Sequence, residues 1–185
     1  HLCLAFPGIA AGSPERYRMQ VLSNILGGGM SSRLFQRVRE QKGLCYTIYS
    51  FSSAHRDTGY FGIYTALGRP TEMQALEFIG QEVRAFAQEG PTEEEVRRSV
   101  EQLKSSALMS LESMNSRMNA NARGEFLYGH PLSAEDIIRG YDAVTRDGVH
   151  QLAQELFKLP NASFSAVGKV SSQEEYQAVI RAALC

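Results

Sequence analysis

Apolar and polar positions alternate from His1 to Phe6, the period of a strand with one buried face, and Pro7-Gly8 ends the run. This segment is expected to lie at or next to a sheet edge. Ser13-Pro14 then carries a helix-start signal, a capping hydroxyl followed by proline at the first helical position. Tyr17, Val21, Leu22 and Ile25 continue at helical spacing until Gly27-Gly28-Gly29 stops the helix. A second helix is predicted from Ser31 or Ser32, with Leu34, Phe35 and Val38 on one side, ending at Lys42-Gly43. Leu44 to Ser53 and Thr58 to Leu67 are rich in Tyr, Ile, Phe and Thr. Ala54-His55-Arg56-Asp57 separates them, so they read as a hairpin.

Beyond the hairpin the period becomes helical. Thr71 is placed to cap a helix reaching about Gln88. After Gly90-Pro91, Thr92-Glu93-Glu94-Glu95 spells a capping box. Val96, Val100, Leu103, Ala107, Leu111, Met114 and Met118 continue at intervals of three or four, predicting one long helix towards Tyr128. Gly129 to Pro131 breaks it. Ser133 caps a helix to about Gly140 and Thr145 another to about Lys158. Ala162 to Val170 reads as a closing strand and Ser172 to Leu184 as a terminal helix. Long helices beside hairpin-linked strands imply α+β, a mainly antiparallel sheet with helices packed on one face, over a single domain spanning 1–185.

Composition narrows the function. The 19 Lys+Arg nearly balance the 20 Asp+Glu, for a net charge of −1, which gives no electrostatic reason to expect nucleic acid or an anionic membrane as partner. No apolar run approaches the roughly 18 residues that span a bilayer. Cys3, Cys45 and Cys185 are an odd set without metal-ligand spacing and fit a reducing, cytoplasmic compartment. The chain opens within a strand pattern and without Met, so an internal boundary is expected there.

Candidate chemistry is sparse. His1, His55, His130 and His150 have no second His or close Glu at the spacing that presents two ligands to zinc, so no metal site is expected. The glycine run comes after a helix and lacks the lysine of a phosphate loop, so helix termination with close backbone packing is its reading. There is no Gly-x-Ser-x-Gly. Cys45 reads as a buried, inert strand thiol. Taken alone, Arg39 reads as a solvated helix residue and Tyr46 as a half-buried strand residue. Their placement is still suggestive. Arg39 lies in the last turn of its helix, and Gly43 turns the chain so that Tyr46 comes early in the next strand. A guanidinium and a phenol flanking one corner offer donors to a peptide carbonyl or an oxyanion.

At these residues the sequence resembles a known family. Leu26-Gly27-Gly28-Gly29-Met30-Ser31-Ser32-Arg33-Leu34-Phe35, continuing through Val38-Arg39-Glu40 to Gly43-Leu44-Cys45-Tyr46, is similar to the C-terminal half of insulinase, pitrilysin and the mitochondrial processing peptidases. The Gly59 to Gly62 strand, the long helix and a closing strand ending Val167-Gly168 come in matching order. The resemblance implies a metallopeptidase half-domain of the LuxS/processing-peptidase type. In that family the N-terminal half carries an inverted zinc motif, His-x-x-Glu-His with a downstream Glu. The C-terminal half holds no metal and completes the site. By resemblance Arg39 and Tyr46 contact the substrate backbone and stabilise the tetrahedral intermediate, and Phe35 lines the cleft.

This chain has no His-x-x-Glu-His. The implied cofactor is therefore zinc held by an N-terminal half, in the same chain or in a partner subunit, with none bound here. The implied partners are that half and an extended peptide substrate, with homodimerisation a further option. The function expected is the substrate-binding half of a zinc metalloendopeptidase, inactive by itself. The alternative is a non-catalytic paralogue serving as a structural subunit, like the respiratory-complex core proteins. Retention of both Arg39 and Tyr46 favours the peptidase.

Overall fold

A computed structural model describes residues 1–184; the terminal Cys185 lies outside the described residues. Four strands, β1 (Leu2–Pro7), β2 (Thr47–Ala54), β3 (Gly59–Ala66) and β4 (Ser163–Ala166), form one sheet in the order β2-β3-β1-β4. Every pairing is antiparallel. The opening strand is therefore interior, one place in from the β4 edge. Leu2, Leu4, Phe6, Ile48, Phe61 and Ile63 point to the buried face. Cys3, Tyr49, Phe51, Tyr60 and Tyr64 occupy the alternate positions. There the rings of Tyr49 and Tyr64 lie 5.1 Å apart and those of Tyr49 and Phe51 6.0 Å apart.

Helices pack on the buried side, all but α4 contributing side chains to the core: α1 (Arg16–Gly27), α2 (Glu72–Glu89), α3 (Glu93–Ser110), α4 (Met114–Tyr128), α5 (Ala134–Asp142), α6 (Arg146–Leu156) and α7 (Gln173–Leu184). Val21, Leu22 and Leu26 of α1 are fully buried. Each such side chain contributes roughly 1.5–3 kcal/mol by leaving water. The glycine run ends α1 as expected, and close packing is the reason. A Cβ on Gly27 would sit 2.3 Å from the Ser50 backbone nitrogen. Ser50 there donates to the Ser23 carbonyl at 2.7 Å, so the polar atoms drawn into this contact are satisfied.

The start and stop signals fared unevenly. Thr92 and Ser133 form full capping boxes, and Thr145 caps α6. Ser13 does not cap α1, which begins at Arg16 after Glu15; its hydroxyl accepts from the Glu15 amide at 3.2 Å instead. Thr71 makes no cap either, because its hydroxyl donates to the Leu44 carbonyl at 2.8 Å. The predicted long helix is two helices, broken at Leu111–Ser113, where Ser113 caps α4. Met114 and Met118, which continue the helical spacing, are 79% and 61% exposed, and Gly124 is the one buried residue of α4. Helical spacing marks a face without saying that anything covers it.

Candidate functional site

The stretch from Arg33 to Tyr46 folds as a short helix, a tight reversal and the lead into β2. The helix is wound as a π-helix over Phe35–Glu40, and the Gln41 amide donates to the Gln36 carbonyl at 2.9 Å. A π turn carries one residue more than an α turn, is rare, and is frequently found at functional sites. Gly43, at φ 62°, closes it. The Gly43 amide donates to the Arg39 carbonyl at 2.9 Å and the Leu44 amide to the Val38 carbonyl at 3.1 Å. These nested bonds resemble a Schellman close, each reaching one residue further back, as the widened turn requires.

The winding sorts the side chains. Leu34 and Val38 are fully buried and anchor the turn in the core. Arg33 points to the start of α3, where its Nε and Nη2 grip both Glu95 carboxylate oxygens at 2.7 Å and Nη2 also donates to the Gly90 carbonyl at 3.0 Å. The guanidinium also lies 4.8 Å from the Phe86 ring centre. Burial by itself would raise the Glu95 pKa. The Arg33 hydrogen bonds and the Thr92 amide outweigh that and hold the carboxyl down at about 2. Arg37, one turn on, pairs with Glu82 of α2. Composition and spacing do not reveal this clamp; Arg33 and Arg37 at i and i+4 are its one sequence signal, and their partners lie 62 and 45 residues away.

The residues predicted for function take the other side. Arg39 is half-buried, with its guanidinium 4.6 Å from the centre of the half-buried Phe35 ring. It is thus stacked where the bare sequence has it solvated, and Phe35 is no core residue. Tyr46 is 83% exposed and precedes β2, its amide donating to the Ala66 carbonyl at 2.9 Å. This corrects the half-buried strand placement: the phenol stands at the mouth of the corner. Tyr46 lines a concavity of about 530 Å³ with Gly43, Leu44, Ala66, Gly68 and Thr71.

Phe35 and Arg39 are brought together; Arg39 and Tyr46 flank one corner without a hydrogen bond between them. Among the described residues neither the Arg39 guanidinium nor the Tyr46 hydroxyl has a hydrogen-bond partner, so both keep uncommitted donors. Between them Cys45 is half-buried and outside β2, against the expected strand position. Burial pushes its thiol up, more than the Thr65 hydroxyl and the Arg39 charge pull it down, so it is a poor nucleophile.

No group of three or more His, Cys, Asp or Glu among the described residues could hold a metal ion. Zinc therefore does not fit the described residues of this chain. No described helix is long and apolar enough to cross a membrane.

Comparison with known proteins bears on the family and the fold. The chain is 43% identical over 157 residues to an uncharacterized zinc protease of Bacillus subtilis, covering 85% of this chain and 38% of that protein. It is 36% identical over 175 residues to one of Streptomyces coelicolor, covering 94% and 38%. The chain therefore spans well under half the length of these relatives. Among solved structures, a protease from Helicobacter pylori superposes with a TM-score of 0.80 at 17% identity, over 88% of this chain and 40% of that one. The peptidase M16 inactive domain of Pseudomonas fluorescens gives 0.76 at 23% identity, over 88% and 40%. A chain of complex III2 from Candida albicans gives 0.82 at 18% identity, over 97% and 46%. At these identities the structures establish the α+β fold. The model of the peptidase M16 inactive domain matches residues 1–103, which include β1, α1, the π-helical corner, the hairpin and α2. This chain belongs to the peptidase M16 family, as its inactive domain.

Proposed function

We propose that this domain clamps an extended peptide for hydrolysis by the zinc-bearing half of an M16 endopeptidase. The observation that carries the reading is the corner itself: a stacked guanidinium and an exposed phenol, both with uncommitted donors, at one helix-to-strand reversal. Arg39 would donate in-plane N–H groups to substrate backbone carbonyls, and the Phe35 ring holds it flat for that contact. The Tyr46 hydroxyl would donate to the scissile carbonyl oxygen, most strongly as that oxygen takes on charge in the tetrahedral state. The metal belongs to the other half, in line with the zinc-protease names of the longer relatives.

In the complete protein, Tyr46→Phe is expected to lower kcat by about 10²-fold, the scale of one lost oxyanion donor. Zinc content and melting temperature stay as in the unmodified protein. Arg39→Ala is expected to raise KM and lower kcat together. Unaltered turnover of a peptide substrate by both variants would return Tyr46 to packing and Arg39 to solvated surface, whereas no turnover by the unmodified complete protein would favour the second reading, a non-catalytic paralogue in a larger assembly. The fold likeness to a complex III2 chain is what supports that alternative.

A further inference from the structure

Glu82 on α2 holds a buried side-chain atom with no hydrogen-bond partner among the described residues, its Oε2. Its Oε1 accepts from Arg37 Nη1 at 2.5 Å. The Glu82 side chain is 8% exposed and that of Arg37 53%, so the carboxylate sits in the wall of the core and the guanidinium reaches in from the surface. A half-satisfied buried carboxylate is a poor source of stability. Desolvation offsets most of the attraction, and an apolar pair of the same shape is often as stable or more so.

What the pair does supply is direction. Arg37 stands on the π turn between Phe35 and Arg39, and Arg33 one turn earlier is fastened to Glu95. Two fixed points on one side of a short helix set its rotation about its own axis. That rotation decides where the opposite side presents Phe35 and Arg39. Leu34 and Val38 alone would allow slippage between α and π winding, because both windings can keep apolar residues inward.

We propose that Glu82 and Arg37 are a positioning pair for Arg39, holding the π winding that aims the guanidinium at the peptide without touching substrate themselves. The proposal rests on the clamping function above. It is tested in the complete, zinc-loaded protein with an extended fluorogenic peptide. Glu82→Gln keeps the side-chain shape and removes the charge, and Arg37→Gln breaks the same pair from the exposed side. Each is expected to lower kcat/KM by roughly 10- to 100-fold, the scale of a misplaced binding group. Bound zinc is unchanged, and Arg37→Lys, which retains a cation for Glu82, recovers most of the loss. The decisive arm is the Arg39→Ala background, in which Glu82→Gln and Arg37→Gln should cost nothing further, because their route to the substrate is gone.

Losses that simply multiply with that of Arg39→Ala would overturn the pair's role, as would unchanged kinetics in both single variants while Arg39→Ala is impaired. If Glu82→Gln does not accumulate as folded protein, the Arg37 variants decide alone. Unchanged kinetics in Arg39→Ala itself would instead remove the clamping function, and the positioning role with it.

Discussion

Arg33 and Arg39 stand on opposite sides of one short helix and both lie against a phenylalanine ring, yet they serve different ends. Arg33, 12% exposed at its side chain, spends its donors on Glu95 and the Gly90 carbonyl. Arg39 stacks on Phe35 and has no hydrogen-bond partner among the described residues. A guanidinium lying over a ring keeps its in-plane N–H groups free, because the attraction is to the ring face. Stacking therefore fixes Arg39 without consuming it, whereas pairing fixes Arg33 and consumes it. The same residue type becomes a strut on one side and an open hand on the other.

The contrast can be broken most severely at the strut. Arg33→Ala leaves the part-buried Glu95 carboxylate with Thr92 as its remaining partner and is expected to destabilise the domain by about 2 kcal/mol. Denaturant titration of the purified domain checks this; a loss under about 1 kcal/mol, the scale of an exposed ion pair, would reduce Arg33 to an ornament of the surface.

Acid should act on the same pair. Glu95 is held at about 2 in the folded chain, below the roughly 4.3 of an unfolded glutamate. Its contribution is complete above the unfolded value and is lost as pH falls from about 4.3 to about 2. Unfolding midpoints across that window should decline in the unmodified domain and decline less in Arg33→Ala. The smallest effect belongs to the corner. Gly43→Ala meets no neighbouring atom but must hold φ at 62°, which costs a residue with a side chain about 1 kcal/mol. A stability unchanged within a few tenths would show that the corner relaxes.

Much of this is legible in the sequence, and the parts that are not share a cause. The capping boxes at Thr92 and Ser133 and the hairpin are local, written within a few consecutive residues. The break before Ser113 and the π winding of Phe35–Glu40 escape because the same apolar spacing suits continuous and interrupted, narrow and widened helices alike. Glu95 reads as a helix-start carboxylate, which it is, but its union with Arg33 spans 62 residues and no local pattern announces it. The neighbours of Tyr46 favour a strand, yet the reversal at Gly43 delays β2 until Thr47 and leaves the ring outside. The residues that carry the proposed chemistry emerge through their resemblance to the C-terminal half of a peptidase; the bare pattern makes them ordinary surface and sheet.

The arm formed by the end of α3 and by α4 carries a different liability. Met109, Met114 and Met118 stand in water on it, while Met19 is 2% exposed in the core. Peroxide can reach these three thioethers, and that of the equally exposed Met30, without any opening of the fold, so sulfoxide should accumulate at all four first and leave Met19 intact until the domain unfolds. Oxidative ageing of this molecule would then begin with new sulfoxide oxygens along α3 and α4 and at Met30, with the packing around Met19 still in place.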